Sequence, residues 1–228
     1  MTPDMKLIAA ARAINLLMAL TAIGEGADPG AAEDDGTSAA MWFAHKRNAA
    51  AVLALGQLKP EILEARNEIG QNVIAQFARC NNYPMVLACE KLCPGVITMT
   101  DEYGYNAAMY LAKSFNVEGL MAVLPLAPQM ITQESTEGEC VMSWLARWCN
   151  HEAIRKVTEA YPLATKLSPY RAILSGGKGL DRREMTKLIA LYVELGYKFP
   201  VNFSDLLEEH NIDDAEVTDI ALLNAQKS

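Results

Sequence analysis

The stretch DEYGYNAAMYLAKSFNVEGLMAVLPLAP, residues 101–128, contains a set of residues that recurs along the chain at a constant spacing. The step of 34 residues from Gly70 to Gly104 is the repeat period. At this step, a glycine, an alanine, an asparagine, a leucine and a proline of the stretch align with matching residues elsewhere in the chain. The aligned columns are Gly36, Gly70, Gly104 and Gly138; Ala44, Ala78, Ala112 and Ala146; Asn48, Asn82, Asn116 and Asn150; Val52, Val86, Leu120 and Ile154; and Pro60, Pro94, Pro128 and Pro162, with Gly196 one further step along. Five columns that share one period over four units indicate an internal repeat.

Each column has a physical role in a repeat of two helices. The glycine is expected in a tight turn that needs positive φ, and the alanine lets the first helix pack closely against its neighbours. The asparagine is expected to take the left-handed conformation where the first helix stops and to cap the second helix. The proline ends the second helix because it cannot continue one. Each unit is therefore predicted to contain a turn, a short helix, a tight turn, a longer helix and an extended return. In the third unit the helices are expected over 106–113 and 117–124.

The composition favours packed helices. Hydrophobic residues make up 51% of the chain and aromatic residues only 7%, which allows a core but disfavours a β-sandwich. The net charge of −8 argues against direct binding of nucleic acid and of an anionic membrane. No uninterrupted apolar run reaches the roughly 18 residues of a membrane span. Five cysteines, an odd number, and an N-terminus without the basic residues of a signal peptide predict reduced thiols and a cytoplasmic location.

The repeat resembles the ankyrin repeat, from Gly26 to Gly196 at least. The best match is Gly26-Ala27-Asp28-Pro29 followed by Asp35-Gly36-Thr37-Ser38-Ala39 and then Ala44. The resemblance implies an all-α, ankyrin-type helical solenoid of about five to six 34-residue repeats with atypical caps. The predicted parts are N-terminal capping helices over 1–32, four ankyrin-like repeats over 33–168, and a divergent fifth repeat with an acidic C-terminal cap over 169–228. Residues 4–24 are predicted to form two helices, and 182–195 the second helix of the fifth unit.

Three departures from the family's pattern bear on the hydrogen-bonded network between repeats rather than on their stacking. The family's Thr-Pro at the start of the first helix is replaced by Ser38-Ala39, Asn72-Val73, Asn106-Ala107 and Cys140-Val141. The family's histidine two positions later is replaced by Met41, Ala75, Met109 and Ser143. The glycine that ends the second helix is a proline in four units.

Candidate chemical sites are few. The segment Ser175-Gly176-Gly177-Lys178-Gly179 lacks the residues of a phosphate-binding loop and is interpreted as a loop between cap helices. Cys80, Cys89 and Cys93 have no histidine nearby and are interpreted as small apolar residues rather than a zinc site. His151 is interpreted as a solvent-exposed residue at a helix start rather than a base for Cys149. We identify no catalytic residue, metal site or cofactor, and we predict that the protein is not an enzyme.

The ankyrin resemblance implies a binding surface for a partner protein. In such arrays the turn tips and the exposed positions of the first helices form a concave face. Tyrosine, tryptophan and arginine dominate the energetics of such interfaces. The residues predicted to bind the partner are Ile69, Arg79, Glu102, Tyr103, Tyr105, Lys113, Glu137, Arg147 and Trp148. The protein is expected to act as an adaptor, inhibitor or effector, and its acidic caps suggest a partner with basic patches.

Two alternatives come from other function classes. The loop around Gly176–Arg183 could serve an enzyme or sensor that responds to a ligand or nucleotide. The apolar N-terminal helices could instead give a structural role through end-to-end association. Ankyrin-like arrays serve many functions, so the fold alone does not decide between these hypotheses.

Overall fold

The computed structural model describes residues 1–166 and 182–197. These residues are all-helical, as predicted; they contain no strand and only an isolated bridge between Ala32 and Ser38. The α-helices are α1 (Pro3–Arg12), α2 (Leu16–Gly24), α3 (Ala39–His45), α4 (Ala49–Leu58), α5 (Val73–Arg79), α6 (Tyr83–Leu92), α7 (Ala107–Lys113), α8 (Val117–Val123), α9 (Val141–Arg147), α10 (His151–Ala160) and α11 (Arg182–Glu194). None of the described helices has the length and apolar character needed to cross a membrane.

The chain divides into two compact units. Unit 1 spans Met1–Ala127, and unit 2 begins at Pro128. In unit 1 the helices form the pairs α1–α2, α3–α4, α5–α6 and α7–α8, and the first helices of successive pairs pack against one another. Its core contains Phe43, Phe77 and Leu111, which are fully buried and lie one repeat period apart. The sequence period is therefore also the period of the packing.

Polar side chains cap the N-termini of all eight helices of unit 1. The asparagine column caps the second helices, as predicted: Asn48 Oδ1 accepts a bond of 3.1 Å from Ala51 N–H, and Asn116 Oδ1 one of 2.7 Å from Gly119 N–H. The residues that replace the family's Thr-Pro also act as caps, because Ser38, Asn72 and Asn106 each accept a bond from the backbone three residues on. Such a cap contributes on the order of 1 kcal/mol to stability.

The left-handed residues lie one position earlier than expected. The residue before each asparagine has positive φ, at Arg47, Asn81, Phe115 and Cys149, whereas the asparagine itself does not. The prediction for the asparagine was wrong in this respect, because that residue has to project its side chain as a cap. The glycine column has positive φ as expected, between 70° at Gly70 and 80° at Gly104. Ile14 and Asn15 repeat the pattern between α1 and α2.

The return segments are helical rather than extended, which corrects the sequence-based prediction. The second helices α4, α6 and α10 end two residues before a proline of the column. Short 3-10 helices follow over Pro60–Leu63, Val96–Thr98, Pro128–Thr132 and Pro162–Lys166. Proline stops the α-helix but suits the first turn of a new helix, where its missing N–H is not needed.

Unit 2 is described over 128–166 and 182–197, and it contains α9, α10 and α11. The extent of α11 confirms the second helix predicted for the fifth unit. The side chain of Tyr192 is wholly buried, and its hydroxyl donates to Met142 O at 3.3 Å. Arg155 pairs with Glu194 at 2.8 Å, joining α10 to α11. The glycine-rich segment 175–179 and the acidic tail from residue 202 lie outside the described residues, as does most of the alternative site at Gly176–Arg183.

Candidate functional site

Four tip loops, residues 33–37, 67–71, 101–105 and 135–139, precede the first helices of the repeats. Each loop starts with an oxygen-bearing side chain, at Glu33, Asn67, Asp101 and Ser135. In the third loop Asp101 Oδ1 accepts from the backbone N–H groups of Tyr103 (3.1 Å) and Tyr105 (2.9 Å). Asn67 and Ser135 hold their own loops in the same way. This column was missed in the sequence analysis, although the repeat period reveals it.

Backbone hydrogen bonds join successive tip loops in unit 1. Glu68 N–H donates to Asp35 O at 2.7 Å, and Glu102 N–H donates to Ile69 O at 3.2 Å. The loops approach so closely that a Cβ added at Gly70 would lie 2.7 Å from Glu102 N. The tips therefore form a supported row on which side chains are held in place.

In unit 1 a second row runs along the C-terminal ends of the first helices α3, α5 and α7. The first helices end in His45, Arg79 and Lys113 in unit 1 and in Arg147 in unit 2, and the last three of these basic residues are among those predicted to bind the partner. Positive charge at a helix C-terminus is favoured by the helix dipole. In unit 1 the Lys113 ammonium lies 4.9 Å from the centre of the Tyr105 ring. The basic end of α7 therefore contacts an aromatic residue of the third tip loop.

A buried network connects the second and third repeats. The Tyr110 hydroxyl donates to Asp101 Oδ2 and accepts a 3.2 Å bond from Gln71 Nε2. Burial, and then the hydrogen bond to Asp101, raises the pKa of Tyr110 far above its ordinary value. Gln71 is buried, and its Oε1 accepts a bond of 3.2 Å from Arg79. Gln71 therefore links the second tip loop to the first helices α5 and α7.

The structure brings six of the predicted binding residues together in unit 1. Glu102, Tyr103, Arg79 and Lys113 are exposed, whereas Ile69 and Tyr105 are half-buried. The Tyr103 side chain is 50% exposed, and a hydrogen bond to Glu102 raises its pKa. Tyr105 packs against Tyr110, with 5.4 Å between the ring centres. We call the exposed side formed by the tip loops and the first-helix ends of unit 1 the tip face.

The other three predicted residues, Glu137, Arg147 and Trp148, lie in unit 2. Glu137 is exposed, and the Trp148 side chain is 41% exposed. Arg147 is half-buried: it pairs with Glu139 at 2.7 Å, and its guanidinium lies 4.2 Å from the centre of the Trp144 ring. These contacts already give Arg147 a structural role inside unit 2.

Two grooves indent the tip face near its N-terminal end, and the sequence analysis located neither. The first groove has a volume of about 680 Å³ and is lined by residues that include Asp4, Met5, Ile8, Arg12, Glu33 and Asp34. The second groove, of about 210 Å³, is lined by residues that include Asp35, Met41, Trp42, His45, Asn67 and Gln76. Trp42 is half-buried and forms a wall of the second groove.

Cys80 and Cys149 are half-buried, whereas the other three cysteines are buried. Cys89 and Cys93 are buried, and burial raises their pKa to about 12 and about 11. His151 begins α10 as predicted, but it is half-buried rather than solvent-exposed.

The arrangement in unit 1 thus presents exposed aromatic and charged side chains on a hydrogen-bonded support. Among the described residues, no group of three or more histidine, cysteine, aspartate or glutamate side chains is placed to hold a metal ion. A scan against protein-family models finds no match to this chain, and a search of curated proteins finds no match either.

Proposed function

We propose that the protein is a non-enzymatic, ankyrin-type binding module whose tip face binds a partner protein. The observation that carries the proposal is Tyr103, a large side chain that is half exposed on a rigid loop. Exposing an aromatic ring on a preorganised loop reduces the entropy lost on binding, and tyrosine is enriched at interface hot spots. Exposed Arg79 and Lys113 add charged contacts around it.

The charge of the tip loops favours a partner with basic patches. Asp34, Glu68 and Glu102 lie one repeat period apart, one on each tip loop of unit 1, and all three are exposed. A row of carboxylates attracts cationic surfaces and repels phosphate backbones, so we propose a protein partner rather than a nucleic acid. Cys80, Cys89, Cys93 and Cys140 are free thiols, which supports a reducing compartment such as the cytoplasm.

The test combines affinity capture with a matched pair of variants. The full chain is used to capture proteins from a lysate of the organism that makes it, and the affinity of the strongest co-purifying protein is then measured. Tyr103→Ala should weaken this affinity by about 30-fold or more, the loss expected for an interface hot spot of about 2 kcal/mol.

Phe115→Ala is the matched control, because Phe115 is 53% exposed, close to the exposure of Tyr103, but lies at the turn between α7 and α8. The control should bind as the unaltered chain does, and both variants should keep the helical circular dichroism signal. Equal binding by Tyr103→Ala and the unaltered chain would overturn the proposal.

A further inference from the structure

We infer that the second groove binds an arginine side chain of the partner, and that the neighbouring first groove takes an apolar side chain beside it. This inference rests on the proposed function and specifies the chemistry of the partner. It adds a contact site at the N-terminal end of the tip face, apart from Tyr103 and Tyr105.

The second groove supplies a fixed negative charge. Asp35 is exposed on the first tip loop, and its Oδ1 accepts a bond of 2.8 Å from Thr37 N–H. This bond lowers the pKa of Asp35, so the carboxylate stays ionised at neutral pH. Asn67 and Gln76 add amide groups from the next repeat. A charged acceptor among amides suits a cationic side chain that donates several hydrogen bonds.

The aromatic wall favours a guanidinium over an ammonium. The Arg12 guanidinium already lies 5.0 Å from the centre of the Trp42 ring, while Arg12 pairs with Glu33 at 2.6 Å. The molecule itself therefore shows an arginine that contacts this indole and bonds to a carboxylate. A planar guanidinium combines stacking with directed hydrogen bonds, which an ammonium cannot do.

The two grooves lie side by side, which suits a peptide rather than a free small molecule. The second groove, of about 210 Å³, is smaller than the roughly 300–1,000 Å³ of pockets that hold drug-sized ligands. The first groove, of about 680 Å³, has apolar Met5 and Ile8 in its lining and acidic Asp4 and Asp34 beside them. Trp42 Nε1 donates to Glu33 Oε2 at 3.1 Å, so this pair borders both grooves. Adjacent apolar and arginine residues of one peptide would thus enter adjacent grooves.

The experiment titrates the isotope-labelled full chain with acetyl-Leu-Arg-amide and follows its amide resonances by NMR. The resonances of Asp35, His45 and the Trp42 indole N–H should shift, together with those of Met5 and Ile8. The matched probe, acetyl-Leu-citrulline-amide, keeps the shape of the side chain but lacks its charge, and it should leave the resonances of Asp35, His45 and the Trp42 indole N–H in place.

Asp35→Asn keeps the acceptor for Thr37 N–H but removes the charge, so the chain should fold normally and bind the arginine probe about fivefold more weakly. Glu61→Gln makes the same charge change at an exposed site outside both grooves and should bind like the unaltered chain. The inference fails if the groove resonances are unmoved at about 10 mM probe. It also fails if both probes bind equally or if Asp35→Asn has no effect. Each of these failures would leave the effect of Tyr103→Ala on partner binding untouched, so the two proposals are tested separately.

Discussion

At the scale of single residues, the turn between the two helices of each repeat holds a non-glycine residue in the left-handed conformation. Arg47 has φ of 60°, and its N–H donates to Ala44 O at 2.9 Å. The next residue, Asn48, donates its N–H to Phe43 O at 2.8 Å. These two bonds form a Schellman motif, which satisfies the last carbonyls of α3. A side chain in this conformation costs about 1–2 kcal/mol relative to glycine, so the turn is strained.

Arg47→Gly should therefore stabilise the protein. Relief of the left-handed strain outweighs the extra entropy of glycine in the unfolded chain, which is about 0.4–1 kcal/mol, so we expect a net gain of about 0.5–1 kcal/mol. Lys46→Gly is the control: Lys46 lies next to Arg47 but has φ of −83°, and there glycine should cost about 0.5–1 kcal/mol. Urea unfolding followed by circular dichroism measures both changes. Equal destabilisation by the two variants would rule out strain at Arg47.

At the scale of the elements, glycines allow adjacent tip loops to touch. A Cβ at Gly36 would lie 2.9 Å from Arg66 O, and one at Gly70 would lie 2.7 Å from Glu102 N. Both glycines also have positive φ. The glycine column of the sequence thus satisfies two requirements, the local turn and the contact between repeats, of which only the first was predicted.

Three glycine-to-alanine variants separate these two requirements. An alanine at Gly70 would have a strained φ, and its Cβ would clash with the backbone of the next tip loop. Gly70→Ala should therefore lower stability by at least about 2 kcal/mol. An alanine at Gly26 would have positive φ, but its Cβ would have no atom within 4 Å. Gly26→Ala should therefore lower stability by about 1 kcal/mol. Gly30→Ala has ordinary φ and contacts of 3.4 Å or more, and it should change stability by less than about 0.5 kcal/mol. If Gly70→Ala costs no more than Gly26→Ala, the close approach of the loops is unimportant.

The helices and their caps were predictable because their causes lie within a few residues of one another. The asparagine column and the prolines each act on adjacent backbone, so the repeat period alone was enough to place helix pairs. The grooves were not predictable in this way, because Trp42, Asn67 and Gln76 meet only after two repeats stack. The burial of Gln71 was not predictable for the same reason, since its partner Tyr110 lies 39 residues away. The left-handed conformation in each repeat was assigned to the asparagine, but it belongs to the preceding residue. Capping and positive φ are requirements of two neighbouring positions.

At the scale of the whole molecule, both units bury groups that ionise only at high pH. Burial raises the pKa of Cys89 in unit 1 to about 12, from an ordinary value of 9.0. Burial likewise raises the pKa of Tyr197 in unit 2 to about 12, and that of Tyr192 well above its ordinary value. Such groups stay protonated in the folded chain at pH values where the unfolded chain has lost their protons. Each unit should therefore lose stability at alkaline pH.

The sign of this effect follows from proton linkage. Because the folded pKa of Cys89 lies above the unfolded value, its protonated form stabilises the protein fully below about pH 9, and this contribution is lost as the pH rises toward 12. Between pH 10 and 11 the folded chain holds about one more proton at this site, so Cys89→Ala should make the fall in unfolding free energy shallower by about 1.4 kcal/mol per pH unit. Val86→Ala, in the same helix and also fully buried, removes packing but no titrating group. It should lower stability equally at every pH. Urea unfolding at several pH values from 7 to 11 distinguishes the two variants, and parallel curves for both would exclude the Cys89 thiol as a source of alkaline instability.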